Sequence, residues 1–252
     1  MNAATTFPTI EREPQLLGQT VLVIGGSSGI GFETARRARA EGAKVILTAR
    51  NLERLKRAAS EVDALSTAAF DATDPVAIER FFGEVQKIDH VMVTAGRPYY
   101  GRLVDMDFTK VRNLIGEHLL QALCVARSAI HKVRPGGALI LMGGTGGRRP
   151  GFGMSVASAV TAALPALTAN LALEIAPVRV NLIAAGFVDT ELSAELLGDQ
   201  LEKRRNQLRT TLPIRRVVGP ADVAALALHI MTNTALTGAT YDIDGGQQFV
   251  AA

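Results

Sequence analysis

A single cysteine, Cys124, occurs in the 252 residues, so no intrachain disulfide can form and a reducing compartment, the cytoplasm, is expected. Ala122, Leu123 and Val125 around it mark it as core filler rather than a nucleophile. No secretory leader is expected, because residues 1–15 hold neither a basic start nor an apolar run and read as a flexible tail. Long unbroken apolar runs are scarce. The nearest, over 154–176, is interrupted by Ser155, Ser158, Thr161, Thr168, Asn170 and Glu174, with Pro165 at its middle. That composition fits a buried or interface helix rather than a membrane span. Excess charge of one sign is also missing: the net charge is +3 and the basic residues are scattered. The densest run, Lys203-Arg204-Arg205, has Glu202 beside it and reads as a solvated helix face, so no nucleic-acid surface is expected. Internal repeats, low-complexity linkers and metal sites are not found, and 1–252 reads as one domain.

Glycine, by contrast, is concentrated where it has chemical meaning. Residues 21–31 read VLVIGGSSGIG, an apolar β-type run that breaks into Gly25, Gly26, Gly29 and Gly31. Val21 to Ile24 suit a strand buried on both faces of a parallel sheet. Gly25 then permits a tight turn, Gly29 lets backbone approach a diphosphate, and Gly31 lets the next helix pack closely on the strand. That helix's free N–H groups and positive dipole end would face the phosphates. A glycine string alone is also compatible with an ordinary loop. The strand before it, the helix FETARRARAEGA after it and a second strand at Lys44 to Thr48 identify a dinucleotide site.

Strand-like runs recur at 20–24, 44–48, 67–70, 90–94, 138–142, 178–183 and 239–243, and helical patterns fill 30–41, 52–61, 75–86, 107–133, 154–176 and 221–232. This alternation predicts an α/β fold: a Rossmann-type, doubly wound parallel sheet of about seven strands flanked by helices and joined by right-handed crossovers. Ligands of such sheets lie beyond the carboxyl ends of the strands.

After the second strand comes Ala49-Arg50-Asn51. A protein preferring NAD usually places an acid here to hold the ribose 2′-hydroxyl. An uncharged residue beside a guanidinium instead admits a 2′-phosphate, so NADP(H) is expected, with Arg50 as its partner. A solvent-exposed arginine at a loop start is the other reading. After the third strand, Asp71 and Ala72 stand where the adenine amino group would lie, and Thr73 or Asp74 is the better helix cap.

These residues resemble the short-chain dehydrogenase/reductase superfamily over nearly the whole chain. GGSSGIG stands at the family's TGxxxGIG, VTAG (Val93 to Gly96) at its NNAG turn, and AGFVDT (Ala185 to Thr190) at its PGxxxT segment. RVN (Arg179 to Asn181) and DGG (Asp244 to Gly246) complete the series. The resemblance implies an NAD(P) cofactor, a small-molecule substrate and a homodimer or homotetramer. It assigns cofactor contacts to Gly25, Ser27, Ser28, Gly29, Ile30 and Gly31, to Thr94, Ala95 and Gly96, and to Gly186, Val188 and Thr190. The segments 107–133 and 154–176 would be buried against a partner subunit, and the C-terminal strand with its DGG turn would add a second contact.

The family's chemistry uses a tyrosine proton donor, a lysine four residues later that lowers its pKa, a serine and an asparagine. Counting without gaps back from LALEIAP (Leu171 to Pro177) puts the tyrosine position at Ala157 and the lysine position at Thr161. The serine position, thirteen residues earlier, is Gly144, and the asparagine position is His118. A shifted register on the serines would give Ser155 and Ala159. Neither register contains Tyr or Lys, and Tyr99, Tyr100 and Tyr241 have Leu103, Val104 and Gly245 four positions on.

Three residues are candidates to act in place of that set. His118 can shuttle a proton or can be a helical histidine bonded to a backbone carbonyl. Thr145 can orient a substrate oxygen or can be a turn threonine. Tyr100, with Tyr99, can donate a hydrogen bond or form an apolar lid. The loop GGTGGRRPGFG, with six glycines in eleven residues, implies a mobile or backbone-crowded wall. Its Arg148 and Arg149 can recruit an anion or face water. Two classes of function remain at this stage. One is an NADPH-dependent reductase of an imine, iminium or other substrate that needs no tyrosyl proton donor. The other is an NADP(H)-binding protein without redox turnover, such as a sensor or structural partner, or a non-redox enzyme reusing the pocket.

Overall fold

Along residues 13–250, which the computed structural model describes, strands and helices alternate in the expected order. The strands are β1 (Thr20–Ile24), β2 (Lys44–Ala49), β3 (Ser66–Ala69), β4 (Ile88–Val93), β5 (Val133–Gly144), β6 (Arg179–Ala185) and β7 (Thr240–Ile243). The helices are α1 (Gly29–Ala40), α2 (Leu52–Glu61), α3 (Pro75–Glu84), α4 (Phe108–Ile115), α5 (Gln121–Ala129), α6 (Ser155–Glu174), α7 (Glu191–Leu197), α8 (Leu201–Thr211) and α9 (Pro220–Thr232). The sheet order is β3-β2-β1-β4-β5-β6-β7 and every neighbouring pair is parallel. Strand order reverses between β1 and β4, so the crevice at their carboxyl ends is where such a fold binds ligand.

Alternation along β1 divides the core. Leu22 and Ile24 join Ile78, Phe82, Val125 and Leu164 on one face of the sheet, while Val21 and Val23 join Ala35, Ala38 and Ile230 on the other. These four of the five β1 residues are fully buried, each contributing about 1.5–3 kcal/mol of apolar transfer. Small residues let the second layer close: α1 packs on α9 through Ala35 and Ala38 against Val223, Ala227 and Ile230. The RVN motif is structural. Buried Arg179 donates to the carbonyls of Gly136, Ile230, Met231, Asn233 and Leu236, tying β6 to the end of α9. Asn181 Nδ2 adds a bond to Leu236 O.

Several sequence readings need correction. The helix expected over 107–133 starts on Asp107, whose carboxylate caps the N–H groups of Thr109 and Lys110, but a π-turn at Gly116–Leu120 divides it and it ends at Ala129. The strand expected at 138–142 begins at Val133, because Val133 already pairs with Ile88 before the ladder resumes at His90 and Ala138. Helix α7 was not foreseen; Thr190 caps it by accepting from Ser193 N. Of the tail expected over 1–15, residues 1–12 lie outside the described residues, while Gln15 N is bonded to Glu41 and Leu16 is fully buried. The run at 203–205 is not simply solvated either: Arg205 pairs with Asp189 and Glu202, and Arg204 is half-buried.

Helix α6 is the one described helix whose length and hydropathy would suffice to cross a membrane. It instead lays Ala157, Val160, Leu164, Thr168 and Leu171 against the sheet, and Pro165 removes the bond that would satisfy the Thr161 carbonyl.

Candidate cofactor and substrate cleft

The carboxyl ends of β1, β2, β4, β5 and β6 open into one cleft of about 950 Å³. Its floor is the glycine turn. Gly25 has φ +95°, and a Cβ there would meet Ala95 N at 2.7 Å. A Cβ on Gly31 would collide with the Gly25 carbonyl oxygen and lie 2.5 Å from Thr94 Oγ1. Thr94 itself donates to the carbonyls of Ile24 and Gly25 at 3.1 Å, so its hydroxyl braces the turn. Ser28 caps α1 with extended backbone and no side-chain bond, which leaves its hydroxyl and the first-turn N–H groups of α1 open toward the cleft. This is a cradle for a diphosphate, and the residues present fit one.

Beyond the end of β2, Arg50 lines the cleft and has no carboxylate partner among the described residues. Asn51 is committed to capping α2, accepting from Arg54 N at 2.9 Å. Arg54, which sequence reasoning missed, reaches across the groove to pair with Glu191 of α7. Its only sequence signal was a second arginine one helical turn past Arg50. Asp71 also lines this end, but one carboxylate oxygen already accepts from Thr73 N and Oγ1, each at 2.9 Å. Asp74 is the true cap of α3. Ala72, Ala95, Gly96, Gly186, Val188 and Thr190 complete the walls, together with Ser27, Gly29 and Ile30 from the turn.

At the opposite end stand the residues expected to meet substrate. Ala157, Thr161 and Leu164 point one helical face of α6 into the cleft, beside Gly144 and Thr145 at the end of β5. Ser155 and Ala159, the shifted register, are not among the lining residues. Thr161 donates its hydroxyl proton back to the carbonyls of Ala157 and Ser158, at 2.9 and 3.1 Å. Thr145 is buried, lines the cleft and makes no side-chain bond to the described residues. His118 sits on the π-turn with Nδ1 3.1 Å from Leu114 O. A carbonyl can only accept, so Nδ1 is the donor in this bond, and the Nε2 edge of the ring lies next to Gly96. Of the two sequence readings of His118, the bond to a backbone carbonyl is the one seen here. Tyr100 lines the cleft with 53% of its surface exposed, and desolvation pushes its phenol pKa up. Tyr99 is engaged elsewhere, accepting from Asp107 N at 3.1 Å.

The two loop arginines diverge. Arg148 turns away to pair with Asp242 and to reach Gln248, whereas Arg149 lines the cleft and donates to Gln247 O at 3.0 Å. A second hollow of about 790 Å³ beside α9 and β7 is lined by charged groups already paired, such as Arg216 with Asp222.

Known proteins share this fold. A family model described as enoyl-(acyl carrier protein) reductase matches residues 24–248. A short-chain dehydrogenase/reductase of Stachybotrys chlorohalonatus, ATR9, is 29% identical, covering 92% of this chain and 98% of the relative. The human 3-oxoacyl-[acyl-carrier-protein] reductase is 28% identical, covering 90% and 97%. Among solved structures, a small-chain dehydrogenase in complex with NADPH superimposes with a TM-score of 0.79 at 27% identity, over 92% of this chain and 99% of that one. BdcA in complex with NADPH does so with a TM-score of 0.83 at 27% identity, over 92% and 95%. The family match over residues 24–248 and the shared fold place the chain in the short-chain dehydrogenase/reductase superfamily.

Proposed function

We propose that this protein is an NADP(H)-dependent oxidoreductase whose substrate needs no proton from a tyrosine, with an imine or iminium the best-fitting class. One observation carries the proposal: an open diphosphate cradle ends on the α6 face formed by Ala157 and Thr161. Ala157 has no proton to give, and Thr161 spends its own on the helix backbone. Solved relatives with NADPH bound support the cofactor half of the reading.

When bound, NADPH supplies a hydride. Ser27, Ser28 and the N–H groups of Gly29, Ile30 and Gly31 hold the diphosphate, and Gly25 gives it room. Arg50 pairs with the 2′-phosphate, and the free oxygen of Asp71 accepts from the adenine amino group. Ala72, Thr94, Ala95, Gly96, Gly186, Val188 and Thr190 shape the walls. A carbonyl acceptor would need its forming alkoxide protonated, whereas an iminium starts positive and is neutralised by the hydride. Positioning and exclusion of water then supply most of the rate. Thr145 orients the acceptor through its free hydroxyl, His118 presents its Nε2 edge to the substrate, and Tyr100 covers the mouth as a lid.

NADPH should bind more tightly than NADH in a fluorescence titration, and Arg50→Ala should cost NADPH about tenfold or more while leaving NADH nearly unchanged. Equal native affinities would remove the role given to Arg50. Turnover of a cyclic imine against a matched ketone tests the acceptor class. The protein acts as a homodimer or homotetramer in a reducing, cytoplasmic setting, which suits the buried thiol of Cys124.

A further inference from the structure

We propose that Arg149 and Arg204 form an anion-binding subsite at the substrate end of the cleft, so the substrate carries a carboxylate or phosphate on an apolar body besides its hydride acceptor. The inference rests on the reading of the cleft as a cofactor and substrate site. Arg149 comes from the loop after β5 and Arg204 from α8, at the other end of the cleft from Arg50. Each spends a donor on an uncharged oxygen: Arg149 on Gln247 O at 3.0 Å, Arg204 on Gln207 Oε1 at 2.8 Å. Neither has a carboxylate partner among the described residues. A guanidinium has five donors in a planar fork, so most of both forks are left for a ligand.

The surroundings sharpen the point. Arg204 is half-buried, and desolvation together with the nearby Arg149 charge lowers its pKa. Both guanidinium groups line the same cleft, each feels the other's charge, and neither is paired with a carboxylate among the described residues, a repulsion that a bound oxyanion would relieve. The acidic residues of the cleft are occupied or elsewhere: Glu191 pairs with Arg54, Glu195 with Arg97, Asp71 is at the adenine end, and Glu117 sits on the π-turn. Met154, Phe187 and Leu192 supply apolar surface in the same cleft. A simple iminium would be repelled by the arginine pair; one that also bears an anion is neutral overall and is oriented by it.

The test is calorimetric titration of the NADPH-saturated protein, which blocks Arg50, with 4-phenylbutyrate, 4-phenylbutyl phosphate and 4-phenylbutyramide. Both anions should bind about tenfold or more tightly than the amide. Arg149→Gln and Arg204→Gln should each remove most of that preference while binding NADPH and melting like the native chain. Arg148→Gln, whose partner is Asp242, should keep it. Equal affinity for acid and amide, no saturable binding of either anion, or a preference that survives in both variants overturns the subsite. A native chain that fails to bind NADPH would overturn the cofactor reading instead; the same acid-against-amide comparison is then made on the protein alone.

Discussion

His90 shows how single side chains are committed by their surroundings. It is 3% exposed on β4, with Nε2 2.7 Å from Gln19 Oε1 and with Nδ1 accepting from Ala138 N at 3.2 Å. The amide oxygen requires a proton on Nε2 and the backbone N–H requires a lone pair on Nδ1, so the ring is neutral. Desolvation first, then the charge of Arg179, lowers its pKa from 6.5 to about 4. The unfolded chain therefore takes up the proton at higher pH than the folded one. Stability from this group is fully present above about pH 6.5 and is lost as pH falls toward 4, by at most about 3 kcal/mol. Denaturant midpoints measured from pH 7.5 to 4.5 should fall, and less steeply in His90→Gln than in the native chain. Parallel slopes would deny His90 this role. Glu33 and Asp222, both lowered by arginine partners, add their own losses at lower pH. The sequence did not mark His90 for this role, because its burial and its partners, Gln19 and Ala138, come from segments far apart in the chain.

Between elements, the β1–α1 junction is the tightest seam. Gly31→Ala would push a methyl into the Gly25 carbonyl and Thr94, neither of which can retreat without breaking the turn. We expect a loss of about 2 kcal/mol or more in thermal or denaturant unfolding, and NADPH affinity down about tenfold. Gly116→Ala is the control: it is helical, has φ −61°, and a Cβ would meet nothing within 4 Å. It should be neutral or stabilise by about 0.5–1 kcal/mol. A Gly31→Ala protein with native stability and affinity would contradict the seam. This junction was legible from the sequence because glycine spacing and strand periodicity are local signals. Strands β1 and β2 and helix α2 likewise fell close to their expected bounds. The π-turn, the early start of β5 and helix α7 were not legible. Each depends on a tertiary pairing, such as Val133 with Ile88, that no local pattern encodes. Arg54 and Arg204 were missed for a similar reason, since helix position alone did not say that they face the cleft.

At the scale of the whole molecule, several large apolar side chains stand exposed. Ile115, Leu120, Leu123 and Ile130 along α4 and α5, and Leu173 on α6, are 43–80% exposed, which favours burial against a second copy. Light scattering at micromolar concentration should give a dimer or tetramer, and Leu123→Glu with Leu120→Glu should shift it toward monomer; a monomeric native chain would refute the interface. The cleft, meanwhile, pairs a phosphate cradle and an Arg50 without a carboxylate partner among the described residues with an α6 face that offers no acid. General acid catalysis is worth about 10²–10⁴-fold, so its loss should slow ketones far more than iminium acceptors. The most direct measurement is the initial rate of NADPH oxidation by the native protein on a matched cyclic ketone and cyclic imine, each with and without a carboxylate. The imine bearing the carboxylate should be reduced fastest, with the ketones slower by about a hundredfold or more. Rapid reduction of the simple ketone would contradict this and show that another group, His118 or Tyr100 first, delivers the proton.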